Sequence, residues 1–357
     1  RKNLAQLDLL NKVTEDNKKI FTKFLKDKNI SDEQLESIAH LITEENAPIL
    51  KQLLKDKTFN FKLLSSVPQT HFRSDNIDVL KQISKNGKVS IQEMLYIMTR
   101  TNKSNSDIAI KLLEKAGDKS NGIYSILGSV YVPNGISAEG LKSVQLRKQL
   151  LLEVLENPKF KLGADDKGME NYFISKVLSV VNPENYQLAK SGLIQKNLDL
   201  DDLSAFLKGV TRENQSVAKR ILAYASKNTS LPELKSLDID VATKYLDEIA
   251  KINNRQVQSQ YVSVMSGLSK DNLDEVLHII RTTSPENSKH ASPLISCITR
   301  GLKQDEAESL ITMIEQSGRK LSVNDITNIS VLGSSDDVFA SEFLERVLRN
   351  KLVPDRQ

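Results

Sequence analysis

The sequence predicts an all-α protein, a right-handed α-solenoid of about ten to eleven helix–loop–helix units. Three observations carry this. Breakers and aromatics are scarce: 9 Pro, 14 Gly, 10 Phe, 8 Tyr and no Trp in 357 residues, a balance that favours helices over sheets. Apolar residues recur at helical spacing, as in Leu35, Ile38, Ala39 and Ile42. The pattern also returns along the chain with a period near 30 residues, the mark of stacked supersecondary units.

The period is plainest near the N-terminus. Thr14-Glu15-Asp16-Asn17 precedes Ile20, Phe21, Phe24 and Leu25, then Lys26-Asp27-Lys28. Thr43-Glu44-Glu45-Asn46 precedes Ile49, Leu50, Leu53 and Leu54, then Lys55-Asp56-Lys57, each residue 29 positions later. Asp75-Asn76 with Val79, Leu80 and Ile83, and Asn105-Ser106 with Ala109, Ile110 and Leu113, continue the series. The first helix of a unit returns as Leu203, Phe206, Leu207 and Val210, followed by Thr211-Arg212-Glu213-Asn214 and a second helix through Val217, Ala218, Ile221 and Leu222.

With Ile49 as the marker of a second helix, the markers fall at Ile20, Ile49, Val79, Ala109, Leu150, Leu188, Val217, Tyr245, Val276, Ser309 and Phe339. Two longer gaps in the middle contain Gly122, Gly128, Pro133-Asn134-Gly135 and Gly140, which is turn chemistry. The expected organisation is one continuous array: regular repeats over 1–120, an irregular repeat with loop insertions over 121–168, and further repeats over 169–357 ending in a polar cap at Asp337–Leu352.

Two linker features recur. An acidic residue followed by Asn precedes the second helix at Asn17, Asn46, Asn76, Asn185, Asn214 and Asn272, with Ser106 and Asp336 in that place elsewhere. Such residues accept a bond from an orphan N–H of the first turn, so they are expected to be N-caps. As a row they also suit a clamp on the backbone of an extended peptide. Ser31, with Glu33 and Gln34, is expected to start a first helix. After the second helix comes an alternating exit, as in Phe59 and Phe61, Val89 and Ile91, Phe160 and Leu162, or Leu198 and Leu200, expected to tuck between neighbouring units.

On these features the chain resembles, in architecture and over its whole length, the HEAT- and armadillo-like class of helical repeats. The stretch Ile30–Ala39 with Leu50-Lys51-Gln52-Leu53-Leu54 is similar to one repeat of the TAL-effector-like DNA-binding family, which implies an array wrapping duplex DNA. The loop Leu41–Asn46 departs from that family: it has no Gly-Gly pair and carries two glutamates.

The sharpest candidate for partner binding is a set of lysines. Lys51, Lys81 and Lys111 lie 30 residues apart on second helices, with Lys55, Lys85 and Lys115 one turn later, and Lys190 and Lys219 further on. Stacking lines such residues into a stripe suited to an acidic peptide or a nucleic-acid backbone. Lysine is equally an ordinary exposed helix residue that favours a helix C-terminus. His40, His71, His278 and His290 are scattered and form no metal-binding pattern, and no P-loop, dinucleotide, nucleophile-elbow or HExxH motif is present. Cys297, the single cysteine, lies in the apolar run Pro293–Ile298 and reads as a small core residue.

These features lead to a non-catalytic scaffold binding a macromolecule along one face, most readily a protein or peptide. Nucleic acid bound through the lysine stripe is the alternative. No cofactor, metal, membrane or small-molecule substrate is called for. One cysteine and the lack of an apolar run near 18 residues fit a reducing, cytoplasmic setting. The net charge of +4 neither demands nor forbids a polyanion. The first residue, Arg1, reads as the start of an excised or processed piece, so targeting signals are expected to lie outside it.

Overall fold

A computed structural model describes residues 8–316. The described residues form α-helices and short 3₁₀ turns, with no strand among them. The chain divides into two compact units at Pro183–Glu184. Asp336 and the stretch Asp337–Leu352 lie outside the described residues.

The first unit contains α1 (Lys18–Lys26), α2 (Asp32–Ile38), α3 (Ala47–Leu54), a 3₁₀ segment (Phe61–Ser66), α4 (Ile77–Asn86), α5 (Ile91–Thr99), α6 (Ser106–Ala116), α7 (Ile123–Ser129), α8 (Ala138–Glu156) and α9 (Met169–Ser179). First helices pack on first helices: α2 on the 3₁₀ segment, α5 on α7, and α7 on α9. Second helices likewise pair, with α4 on α6 and α6 on α8. The second unit contains α10 (Tyr186–Gln195), α11 (Leu200–Leu207), α12 (Gln215–Tyr224), α13 (Ile239–Ala250), α14 (Arg255–Ser263), α15 (Leu273–Thr282), α16 (Ser288–Thr299) and α17 (Gln304–Gln316). There α13 packs on α15 and α14 on α16.

The first helices begin as the sequence predicts. Ser31 makes a full capping box with Gln34, and Ser90, Asp199 and Asn254 each cap with their own side chain. The second helices begin differently. Asn17, Asn46, Asn76, Asn105, Asn185, Asn214 and Asn272 make no side-chain cap to the turn that follows. In several units the cap lies three residues earlier. The N–H groups of Thr14, Asn102, Thr211 and Ser269 donate to the Asn Oδ1 at 2.7–2.9 Å. The hydroxyls of Thr14, Thr43 and Thr211 accept the N–H of Asn17, Asn46 and Asn214 in return. This is a capping box with Asn in the place usually held by Glu or Gln.

That arrangement leaves the Asn amide free to donate. Nδ2 bonds a carbonyl five residues back, at the end of the preceding first helix or turn: Lys12, Leu41, His71, Arg100, Gly209 and Gly267. In three units it also reaches the corresponding carbonyl of the next unit. Asn17 bonds Ile42 O at 3.2 Å, Asn105 bonds Leu127 O at 3.3 Å and Asn185 bonds Leu207 O at 3.1 Å. Short helices expose orphan C-terminal carbonyls, and one buried amide here answers two of them.

The clamp fixes the register. The residue four after each Asn is buried: Phe21, Leu50, Leu80, Ala109, Ala189, Ala218 and Val276. The register also corrects two assignments. Asn105, not Ser106, holds the clamp position in the fourth unit, so Ile108 rather than Ala109 is equivalent to Ile49. In the irregular unit Arg147 stands in for Asn. Its guanidinium donates to Ser129 O at 3.4 Å and Ser179 O at 3.1 Å, the last residues of α7 and α9. Leu150, Leu151 and Val154 then fall on the buried face. The alternating exits are buried at Phe59, Phe61, Phe160, Leu198 and Leu200, but Ile91 is half exposed.

The segment 121–168 is held by a close backbone contact. Gly122 and Gly168 both adopt positive φ, and a Cβ on Gly168 would meet Gly122 Cα at 2.7 Å. Beside them Asn171, fully buried, donates to Asn121 O at 2.7 Å and accepts Gly163 N–H at 2.8 Å.

Asn105→Ala removes three buried hydrogen bonds and is expected to cost about 3 kcal/mol in denaturant unfolding. Asn105→Ser106-type swaps test the register: Ser106→Ala should cost under about 0.5 kcal/mol. Gly168→Ala should destabilise by about 2 kcal/mol or more. Gly87→Ala, with the same sign of φ but open space around it, should cost about 1 kcal/mol.

Candidate functional site

The clamp register decides which predicted lysines share a position. Lys51, Lys81, Lys190 and Lys219 each lie five residues after their clamp Asn, and Lys55 and Lys85 lie nine after. Lys111 and Lys115 are displaced by one, a rotation of about 100° around a helix. Ile110 and Glu114 hold the equivalent positions on α6.

Lys55, Lys85, Lys111 and Lys219 are exposed. Lys51 is exposed too, with its ammonium 6.0 Å from the centre of the Phe24 ring of the preceding unit. Lys81 and Lys190 are half-buried. Lys81 helps to hold the exposed Asp56 carboxyl below its ordinary range, after the larger effect of Thr58 hydroxyl and N–H donors. Lys115 is committed within the protein. Its ammonium donates to Leu155 O at 3.1 Å and Asn157 O at 3.2 Å, where it satisfies the C-terminus of α8.

The Asn row is not available to a peptide. Asn17, Asn46, Asn76, Asn105, Asn185 and Asn214 are buried and serve the clamp. Asn76 lacks a Thr or Ser three residues before it, and its Oδ1 has no partner. Cys297 is buried, and burial pushes its thiol up to about 12, so it packs as a small apolar group. His40 Nε2 lies 2.8 Å from Val67 O, a contact between successive units.

One predicted lysine does line a concavity. In the second unit a cleft of about 460 Å³ opens along α10 and α12. Its floor includes Leu198 and Leu222, its rim carries Gln187, Gln195 and Asn197, and Lys219 is its charged lining residue. The chain enters this rim through Lys196, the non-glycine residue at positive φ among those described, which ends α10 by donating its N–H to Gly192 O. Asn197 Oδ1 is enclosed and has no hydrogen-bond partner.

A second surface feature was not foreseen from sequence. On α5 and α7, Arg100 lies over two rings, 5.8 Å from Tyr96 and 4.8 Å from Tyr124. On α9, Lys176 lies 5.9 Å from both Tyr172 and Phe173. Tyr96 and Tyr172 are exposed. Tyr124 is set by a neighbour: α7 starts at Gly122, which has no capping side chain, and the N–H groups of Gly122, Ile123 and Tyr124 turn to the Glu93 carboxylate of α5. These pairs join residues 28 or more apart in sequence or sit one helical turn apart, so no local motif announces them.

No family profile, curated protein or solved structure matches the chain.

Burial raises the Glu93 carboxyl above its ordinary 4.5, and the three N–H groups with Arg100 reverse this only in part. Native protein therefore binds more protons here than unfolded protein just above that value. The Glu93 contribution to stability is present at acid pH and falls as pH rises through the window. Glu93→Gln keeps a neutral acceptor over α7. Its denaturation midpoint should gain on that of the parent between about pH 4 and about pH 7. A parent that gains on the variant over that range contradicts this account.

Proposed function

We propose that the chain is a non-catalytic helical-repeat scaffold that binds another protein along its second helices, with a right-handed HEAT- or armadillo-like α-solenoid of about ten to eleven units as its architecture. The observation that supports this best is the common register of the second helices. Two residues after the clamp, Lys19, Pro48, Asp78, Asp107, Gln187, Ser216 and Asp274 are all exposed. A surface that repeats at one position per unit suits an extended partner, because each unit adds one similar patch of contact.

The chemistry along that position favours protein over nucleic acid. It mixes Asp, Gln, Ser and Pro with Lys, where a phosphate backbone calls for consistent positive charge. Lys115 is drawn away to cap α8, which interrupts the stripe on α6.

The chain, immobilised and exposed to lysate, should retain protein after nuclease treatment, with affinity that declines only weakly between about 50 mM and about 200 mM salt. Changing Lys51, Lys81 and Lys111 together to Glu should leave that protein bound. Loss of all bound material with nuclease, or a fall of about a thousandfold over the salt range, would favour nucleic acid on the lysines instead.

A further inference from the structure

We propose that the cleft along α10 and α12 is a peptide site, which takes an extended, acidic–apolar segment of a partner protein. This rests on the scaffold reading and names the partner's chemistry at one place on it.

The cleft needs a ligand that donates hydrogen bonds. Asn197 Oδ1 is enclosed without a partner, and an unpaired buried acceptor is costly to leave unmade. The terminal torsion of Asn is broad, so a small rotation turns this oxygen to the cleft. A main-chain N–H satisfies it, whereas a phosphodiester oxygen has no proton to give. Gln187 and Gln195 on the rim carry both a donor and an acceptor. A peptide backbone presents the matching C=O and N–H groups in alternation.

Side chains of an extended strand alternate in direction. Leu198 and Leu222 offer an apolar floor to one set, and Lys219 offers an exposed ammonium to the other. The segment that fits places an apolar residue beside an acidic one. The cleft volume, about 460 Å³, lies in the range of sites that enclose a few side chains.

The test uses the whole chain and a fluorescein-labelled eight-residue peptide of alternating Glu and Leu, read by anisotropy. A Lys–Leu peptide and a single-stranded oligothymidine serve as comparisons. The Glu–Leu peptide should bind at least tenfold more tightly than either. Lys219→Glu, at an exposed position, should weaken it at least tenfold without shifting the unfolding midpoint. Asn197→Leu should do the same, and Asn197→Asp, which keeps an acceptor, should restore much of the loss. Binding that ignores Lys219→Glu, or tighter binding of oligothymidine, overturns the proposal. A protein partner that survives nuclease and stays bound to both variants overturns the cleft assignment alone. No peptide binding and no retained protein overturns the scaffold reading with it.

Discussion

The fold depends on pairing the carbonyl groups that short first helices cannot pair for themselves. A helix such as α2, seven residues long, leaves its last four carbonyls without an internal partner. Buried, each would oppose folding by the desolvation of an unmet acceptor. The Asn amide at the start of each second helix reaches back to such a carbonyl, and in three units forward to the next. One side chain therefore closes a unit and joins it to its neighbour. It can do so because Thr or Ser three residues earlier has taken over the capping task.

From that clamp the packing follows. With the Asn fixed, the residues four and seven further on turn inward and pack as ridges against neighbouring second helices. Other contacts run over the same distance in sequence: Lys88 to Asp118 at 3.1 Å, Arg73 to Thr101 O at 2.8 Å and Arg220 to Asp247 at 2.8 Å. The segment 121–168 keeps the same logic with other parts. Arg147 spans the two carbonyls at greater reach than an amide has, and burial lowers its pKa from the usual 12.5. The touching glycines let α7 and α9 start side by side where a Cβ would keep them apart.

The clamp also divides labour on the surface. Because the Asn side chains are consumed inside, any partner must meet the residues that rotate outward from them. On α10 and α12 these surround a cleft with an apolar floor and an amide rim. On α5, α7 and α9 they are tyrosines backed by Arg100 and Lys176. Cations over aromatic faces hold long side chains in place at modest gain, roughly 0.5–1 kcal/mol where exposed. Both features put preorganised polar and apolar groups on rigid helices, which lowers the ordering cost of binding.

The sequence by itself determined the helical character, the period, the buried face of each second helix, the start of α2 at Ser31 and the packing role of Cys297. All of these follow from apolar spacing and local capping, which act within a turn or two of chain. It also flagged Asn17, Asn46 and Asn214 as special, but for the wrong bond, since a cap and a clamp look alike until the acceptor is known. Only the tertiary structure decided that Asn105 rather than Ser106 holds the fourth clamp, that Arg147 replaces Asn in the irregular unit, that Lys115 turns inward, and that Asn197 and Lys219 share a cleft. The physical reason is distance along the chain: the partners of these groups lie 18 to 42 residues away, where no local pattern encodes which carbonyl is left unpaired.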